Sequence, residues 1–164
     1  MHCFNLGVVK KYVSWALWFM LDASSERHEL AMRGLWLDLR AFYKRHPGSF
    51  TEMEILTLDM LPPLGRAGLR VKGAEAKGVL CWAVAALEEH VEFTQAPGVG
   101  PVREAGRMLV QHLELLEAPG PVSLGTRQQL CDTLKRFLVC IRACPVQLEI
   151  PKMHMWAHLA FGTF

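Results

Sequence analysis

The sequence lacks a strong charge, an internal repeat and any low-complexity tract. Eighteen Lys and Arg against sixteen Asp and Glu give a net charge of +2, so the overall field predicts neither nucleic-acid binding nor its avoidance. Any basic surface must therefore be local. Apolar residues make up 51% of the 164 residues, which argues against disorder and predicts a single domain over residues 1–164.

The amino terminus lacks an apolar run long enough to cross a membrane. Lys10-Lys11 is followed by the ten residues YVSWALWFML, which resemble the start of a secretory signal but are too few to span a bilayer. Tyr12, Trp15 and Trp18 are spaced by three, which is typical of a buried helix face. We therefore expect an intracellular protein without a membrane partner, with secretion as the less favoured alternative.

The sequence also lacks the familiar signatures of enzymes. Gly98-Val99-Gly100 has no P-loop lysine after it, and HMWAH (154–158) lacks the glutamate of the HExxH metalloprotease motif. The five cysteines are an odd number, and Cys81 and Cys131 lie in apolar helical runs, as reduced core thiols do. We predict no catalytic residues and no cofactor.

The longest apolar run predicts the centre of the fold. Nine consecutive apolar residues, Val79 to Leu87, lie within a stretch of about 72–93 whose charges crowd at its two ends. A helix that is apolar all round must be enclosed by others. The sequence thus predicts an all-α, single-domain bundle of about six or seven helices. Around this central helix, the predicted helices cover about Leu6 to Leu21, the Ser24-Ser25 cap to Arg45, Met53 to Leu61, Pro101 to Glu117, Leu124 to Ala143 and Lys152 to Ala160.

Helical spacing also predicts which side chains are buried. The inner stripes are Met32, Leu35, Leu39 and Phe42 in the second helix, Val102, Ala105, Leu109 and Leu116 in the helix ending near Glu117, and Cys131, Leu134, Phe137, Leu138 and Ile141 in the next. Thr51 and Glu54 form a capping box that predicts the short helix Met53 to Leu61. The four histidines His28, His46, His90 and His112 are expected at the surface or the boundary.

One face of the second helix interleaves basic and aromatic residues. It holds Arg33, Trp36, Arg40, Tyr43 and Lys44, a pattern found on nucleic-acid-binding surfaces. The alternative is an ordinary solvated helix face, which is more common.

A second constellation has the residue types of a zinc site. Cys140, Cys144, His154 and His158 occur in the order of a Cys2His2 site, but only nine residues separate Cys144 from His154, and Pro145 and Pro151 interrupt them. A zinc finger keeps about twelve residues there. The favoured interpretation is therefore a pair of core or helix-end thiols, with zinc binding as the alternative.

Three short motifs, in order, resemble transposase-like proteins of the CACTA and KDZ type, within the DDE, RNase-H-like superfamily. The opening Met1-His2-Cys3-Phe4-Asn5-Leu6-Gly7-Val8-Val9-Lys10 is similar to the family segment D-x-M-H-x-x-x-x-G-x-x-K. Lys72-Gly73-Ala74-Glu75 is similar to the K-x-x-[DE] element that starts the family's central helix. Pro151-Lys152-Met153-His154-Met155-Trp156-Ala157-His158-Leu159 is similar to P-K-x-H-x-x-x-H-[LY], which precedes the last catalytic Glu.

The resemblance implies that the chain is the helical region between the second and third catalytic acids. His2, Gly7, Lys10, Lys72, Glu75, Lys152, His154 and His158 would be its motif residues. A DDE site needs three carboxylates to hold two metals, and the sequence contains neither the Asp before Met1 nor the later Glu. We expect a helical fragment with no catalysis of its own, whose partners are DNA or another transposase segment and whose location is nuclear. The alternative is a self-sufficient helical module that binds proteins.

Overall fold

The computed structural model describes residues 4–63 and 68–144, with side chains from Gly7 onward. A π-helical segment, Phe4–Val9, leads directly into α1, Lys10–Ala23. The helices that follow are α2 (His28–Arg45), α3 (Gly73–Glu89), α4 (Val91–Thr94), α5 (Val99–Glu117) and α6 (Leu124–Arg142). A 3-10 turn, Leu58–Met60, lies between α2 and α3. The all-α, single-domain prediction is confirmed, and the described residues contain no strand.

Helix α3 is the centre of the bundle, as its apolar sequence predicts. It contacts α1, α2, α4, α5 and the π-helical segment. Within its apolar run, Val79, Leu80, Ala83 and Leu87 are fully buried, while Cys81 and Ala85 are half-buried. The helix is shorter than predicted, because the chain bends at His90, whose backbone is extended, before the single turn of α4.

Hydrogen bonds from two aromatic side chains of α1 fix other parts of the chain around α3. The Tyr12 hydroxyl of α1 donates to the Val102 carbonyl of α5 at 2.9 Å. The Trp18 indole N–H donates to the Pro62 carbonyl, also at 2.9 Å, and so fixes the segment before α3 against α1. The first bond satisfies a hydroxyl that burial would otherwise leave unpaired.

Helix α2 is a surface helix with one anchored face. Its predicted stripe Met32, Leu35, Leu39 and Phe42 is buried against the rest of the protein. The helix begins later than predicted, at His28 with Arg27 as its N-cap, and only Glu29 lies in its first turn. The Ser24 hydroxyl instead accepts the backbone N–H of Glu26, which closes the turn before the helix.

The carboxyl-terminal part is a hairpin of α5 and α6. Gly98 precedes α5 with φ of +83°, a left-handed conformation that favours glycine. The Ser123 hydroxyl caps α6 by accepting the Thr126 N–H at 3.0 Å. The predicted inner residues Val102, Ala105, Leu109, Leu134, Phe137 and Ile141 are buried.

One predicted helix and three predicted buried positions are wrong. Residues 51–57 are not helical despite the Thr51/Glu54 capping box, and only the turn Leu58–Met60 is helical there. So short a helix is marginal by itself, and Met53 and Leu56 reach the core from an irregular backbone instead. Leu116 is exposed, because Leu113 takes the inner position one turn earlier. Cys131 and Leu138 are half-buried rather than enclosed.

Some predictions lie outside the described residues. These are the loop residues 64–67, the extended piece Gln147 to Ile150 and the helix Lys152 to Ala160. Within residues 4–63 and 68–144, no helix combines the length and the apolar character that crossing a membrane requires.

Candidate interaction surface

Three of the five residues of the predicted basic face are exposed. Arg33, Arg40 and Lys44 lie in one line along α2, and we call them the basic edge. Trp36 is half-buried, and the Arg40 guanidinium carbon lies 5.9 Å from the centre of its ring. This distance allows a cation–π contact.

Tyr43, the fifth residue of that face, is buried instead, with 2% of its surface exposed. It follows Leu39 by four residues and so widens the inner stripe of α2. Its hydroxyl lies near the Met53 backbone and forms no regular hydrogen bond within the described residues. Burial raises the pKa of Tyr43 to about 12. Tyr43 is therefore a core residue and cannot stack on a base.

An apolar stripe lies beside the basic edge and was missed in the sequence. Leu30 is 51% exposed and Leu37 is 56% exposed, and they are one heptad apart. Two small exposed residues lie on the same face. Gly34 is between the two leucines, and Ala41 follows Leu37 by one turn. We call Leu30, Gly34, Leu37 and Ala41 the outer stripe of α2. The heptad spacing of Leu30 and Leu37, on the face opposite the buried stripe, could have revealed this stripe in the sequence.

An open cleft of about 340 Å³ borders the other side of the outer stripe. Its floor is apolar, formed by Met20, Leu35 and Phe93, all buried. Its charged lining residues are Glu26, Asp38 and Glu92, with His90 beside them and no Lys or Arg. We call it the acidic cleft. The outer stripe thus separates a basic edge from an acidic cleft.

The Asp38 carboxylate joins three elements at the wall of this cleft. Its Oδ2 accepts the indole N–H of the buried Trp82 at 2.8 Å and lies 3.2 Å from Nε2 of His90. These contacts tie α2 to α3 and to the bend before α4. The arrangement satisfies a buried N–H donor and orients the imidazole, so its role is structural.

Three of the proposed motif residues meet at the start of α3. The Glu75 carboxylate accepts the Lys72 backbone N–H at 2.8 Å and lies 3.8 Å from the Lys72 ammonium. Burial lowers the pKa of Lys10, and the nearby charge of Glu75 opposes that shift. The Lys10 carbonyl accepts the Leu69 N–H at 3.1 Å. The K-x-x-E element therefore caps the central helix, while Gly7 lies half-buried in the π-helical segment.

The other motif residues, His2, Lys152, His154 and His158, lie outside the described residues. Of the alternative zinc site, the structure therefore describes only Cys140 and Cys144. The Cys144 thiol donates to the Cys140 carbonyl at 3.0 Å, and burial raises the pKa of Cys144 to about 12. Among the described His, Cys, Asp and Glu side chains, no group of three is placed to hold a metal ion. Zinc binding stays a prediction.

One histidine prediction is wrong. His112 lies 3% exposed between α5 and α6, and its Nδ1 is 2.9 Å from the Thr133 hydroxyl. That hydroxyl donates to the Leu130 carbonyl, so it accepts the Nδ1 proton. Burial lowers the pKa of His112 to about 4. His112 is thus a neutral core residue that joins the two helices.

The carboxylates at the end of α3 are paired with basic side chains. Glu88 accepts from Arg107 of α5 at 2.5 Å, and Glu89 lies 3.5 Å from Arg45 of α2. Such pairs offset the unfavourable position of acidic groups at a helix carboxyl terminus.

Comparison of the chain with protein-family models, with curated proteins and with solved structures gave no match. The resemblance to transposase-like proteins stays a prediction.

Proposed function

We propose that the protein is a non-enzymatic helical module that binds another protein through the outer stripe of α2. The observation that carries this proposal is the pair of exposed leucines, Leu30 and Leu37, one heptad apart on a helix whose opposite face is anchored. Heptad-spaced leucines are the usual contact residues of paired helices. A rigid helix face is also a better binding surface than a loop.

Gly34 supports the same interpretation. It lies in the middle of α2, where glycine destabilises a helix by about 1 kcal/mol relative to alanine. A Cβ added there would meet nothing within 4 Å, so the fold itself does not require glycine at this position. A small residue between two leucines would let a second helix approach closely.

The transposase interpretation is compatible with this proposal. In that case the protein is a helical fragment without catalysis of its own, and its partner is another transposase segment or DNA in the nucleus. In the alternative interpretation it is a self-sufficient protein-interaction module. In both interpretations a protein partner would bind the outer stripe, whereas DNA would contact the basic edge.

The first prediction compares two pairs of exposed apolar residues. Immobilised wild-type protein is incubated with extract of the cells that express it, beside L30S/L37S and the control L124S/V139S. Leu124 and Val139 of α6 are 84% and 67% exposed, so the control removes at least as much exposed apolar surface as L30S/L37S does. We expect L30S/L37S to retain at least about tenfold less of the proteins that the wild type binds. The reason is that each lost leucine contact is worth about 1 kcal/mol or more. Mass spectrometry of the retained proteins measures this.

The control decides how that result is interpreted. Equal losses in both variants, or no loss in L30S/L37S, would contradict the proposal. Circular dichroism should show both variants folded, since the substituted side chains are exposed.

A second candidate function is weak nucleic-acid binding along the basic edge. The observation in its favour is that Arg33, Arg40 and Lys44 are exposed on one line, with Arg40 stacked on Trp36. The burial of Tyr43 and the exposure of Leu30 and Leu37 favour a protein partner instead, because leucine contacts neither phosphate nor a base edge well.

The second prediction tests this candidate by fluorescence anisotropy with labelled duplex DNA. If the basic edge binds phosphate, affinity should fall steeply with salt, and R33Q/R40Q/K44Q should weaken it and reduce the salt dependence by about three counterions. The control R103Q/R127Q/R142Q removes the same number of positive charges from α5 and α6. Unchanged binding in the α2 variant would reject the basic edge as a nucleic-acid surface.

A further inference from the structure

We draw no further inference here: the strongest candidate, the acidic cleft between α2 and the bend at His90, is a cluster of carboxylates over an apolar floor, and nothing within the described residues shows what would bind there.

Discussion

Replacing Gly106 by alanine is expected to lower the free energy of unfolding by about 2–4 kcal/mol. A Cβ added at this position of α5 would lie on the Tyr12 hydroxyl and 2.5 Å from Cγ2 of Val84. Tyr12 is fully buried and its hydroxyl donates to the Val102 carbonyl, so it cannot move without losing that bond. Urea unfolding measures the change, and the melting temperature should fall by about 5–15 °C.

Gly34→Ala is the matched control. It lies in the middle of α2 with nothing within 4 Å of an added Cβ, so the variant should be more stable by up to about 1 kcal/mol. Adding Tyr12→Phe to Gly106→Ala should recover part of the lost stability, because it removes the hydroxyl that the added Cβ would meet. A Gly106→Ala protein as stable as the wild type would contradict the close approach of α1, α3 and α5 at this point.

Lowering the pH from 7 to 4 is expected to remove about 2–3 kcal/mol of stability through His112 alone. Burial lowers the folded-state pKa of His112 from 6.5 to about 4, so the unfolded chain takes up a proton first. The stability is fully present above pH 6.5 and is lost as the pH falls towards 4, at about 1.4 kcal/mol per pH unit. Urea unfolding at several pH values measures the slope.

The variant His112→Leu should lose this slope, since it removes the titrating group and keeps an apolar side chain in the site. Thr133→Val provides the control, because it removes the hydroxyl 2.9 Å from Nδ1 but keeps the buried imidazole and its titration. If His112→Leu and the wild type show the same pH dependence between 4 and 7, the neutral buried state of His112 is wrong.

The central architecture could be predicted because it depends on a strong and simple pattern. The run Val79 to Leu87 is apolar on every side, so only an enclosed helix can hold it, and it contacts four other helices in the structure. The predicted start of α6 at Leu124 is also confirmed, because the Ser123 cap before it depends on local chemistry.

The predictions that were wrong depended on contacts far along the chain. The capping box Thr51/Glu54 is a local signal for a helix. The backbone of residues 51–57 is nevertheless irregular, because Met53 and Leu56 are buried in the core. His112 has a polar side chain and is therefore expected at the surface. It is buried because its partner Thr133, 21 residues later on α6, satisfies its hydrogen bond. No spacing rule within one helix could reveal either contact.

The basic–aromatic pattern predicts an exposed face on α2, and the structure agrees with this prediction only in part. The basic–aromatic pattern located the outer side of α2, and Arg33, Arg40 and Lys44 are exposed there. Tyr43 belongs to the inner stripe, and the exposed pair Leu30 and Leu37 was overlooked because leucine is ordinarily assigned to a core. The acidic cleft could not be foreseen, since Glu26 and Asp38 of the α2 region meet Glu92 only in the folded chain.

The central claim is that the outer stripe of α2 is where the protein meets its partner. The retention of cellular proteins by L30S/L37S, measured beside L124S/V139S, tests it most directly. We predict a loss of at least about tenfold in the α2 variant and no comparable loss in the α6 variant. Equal retention by the two variants would contradict the claim.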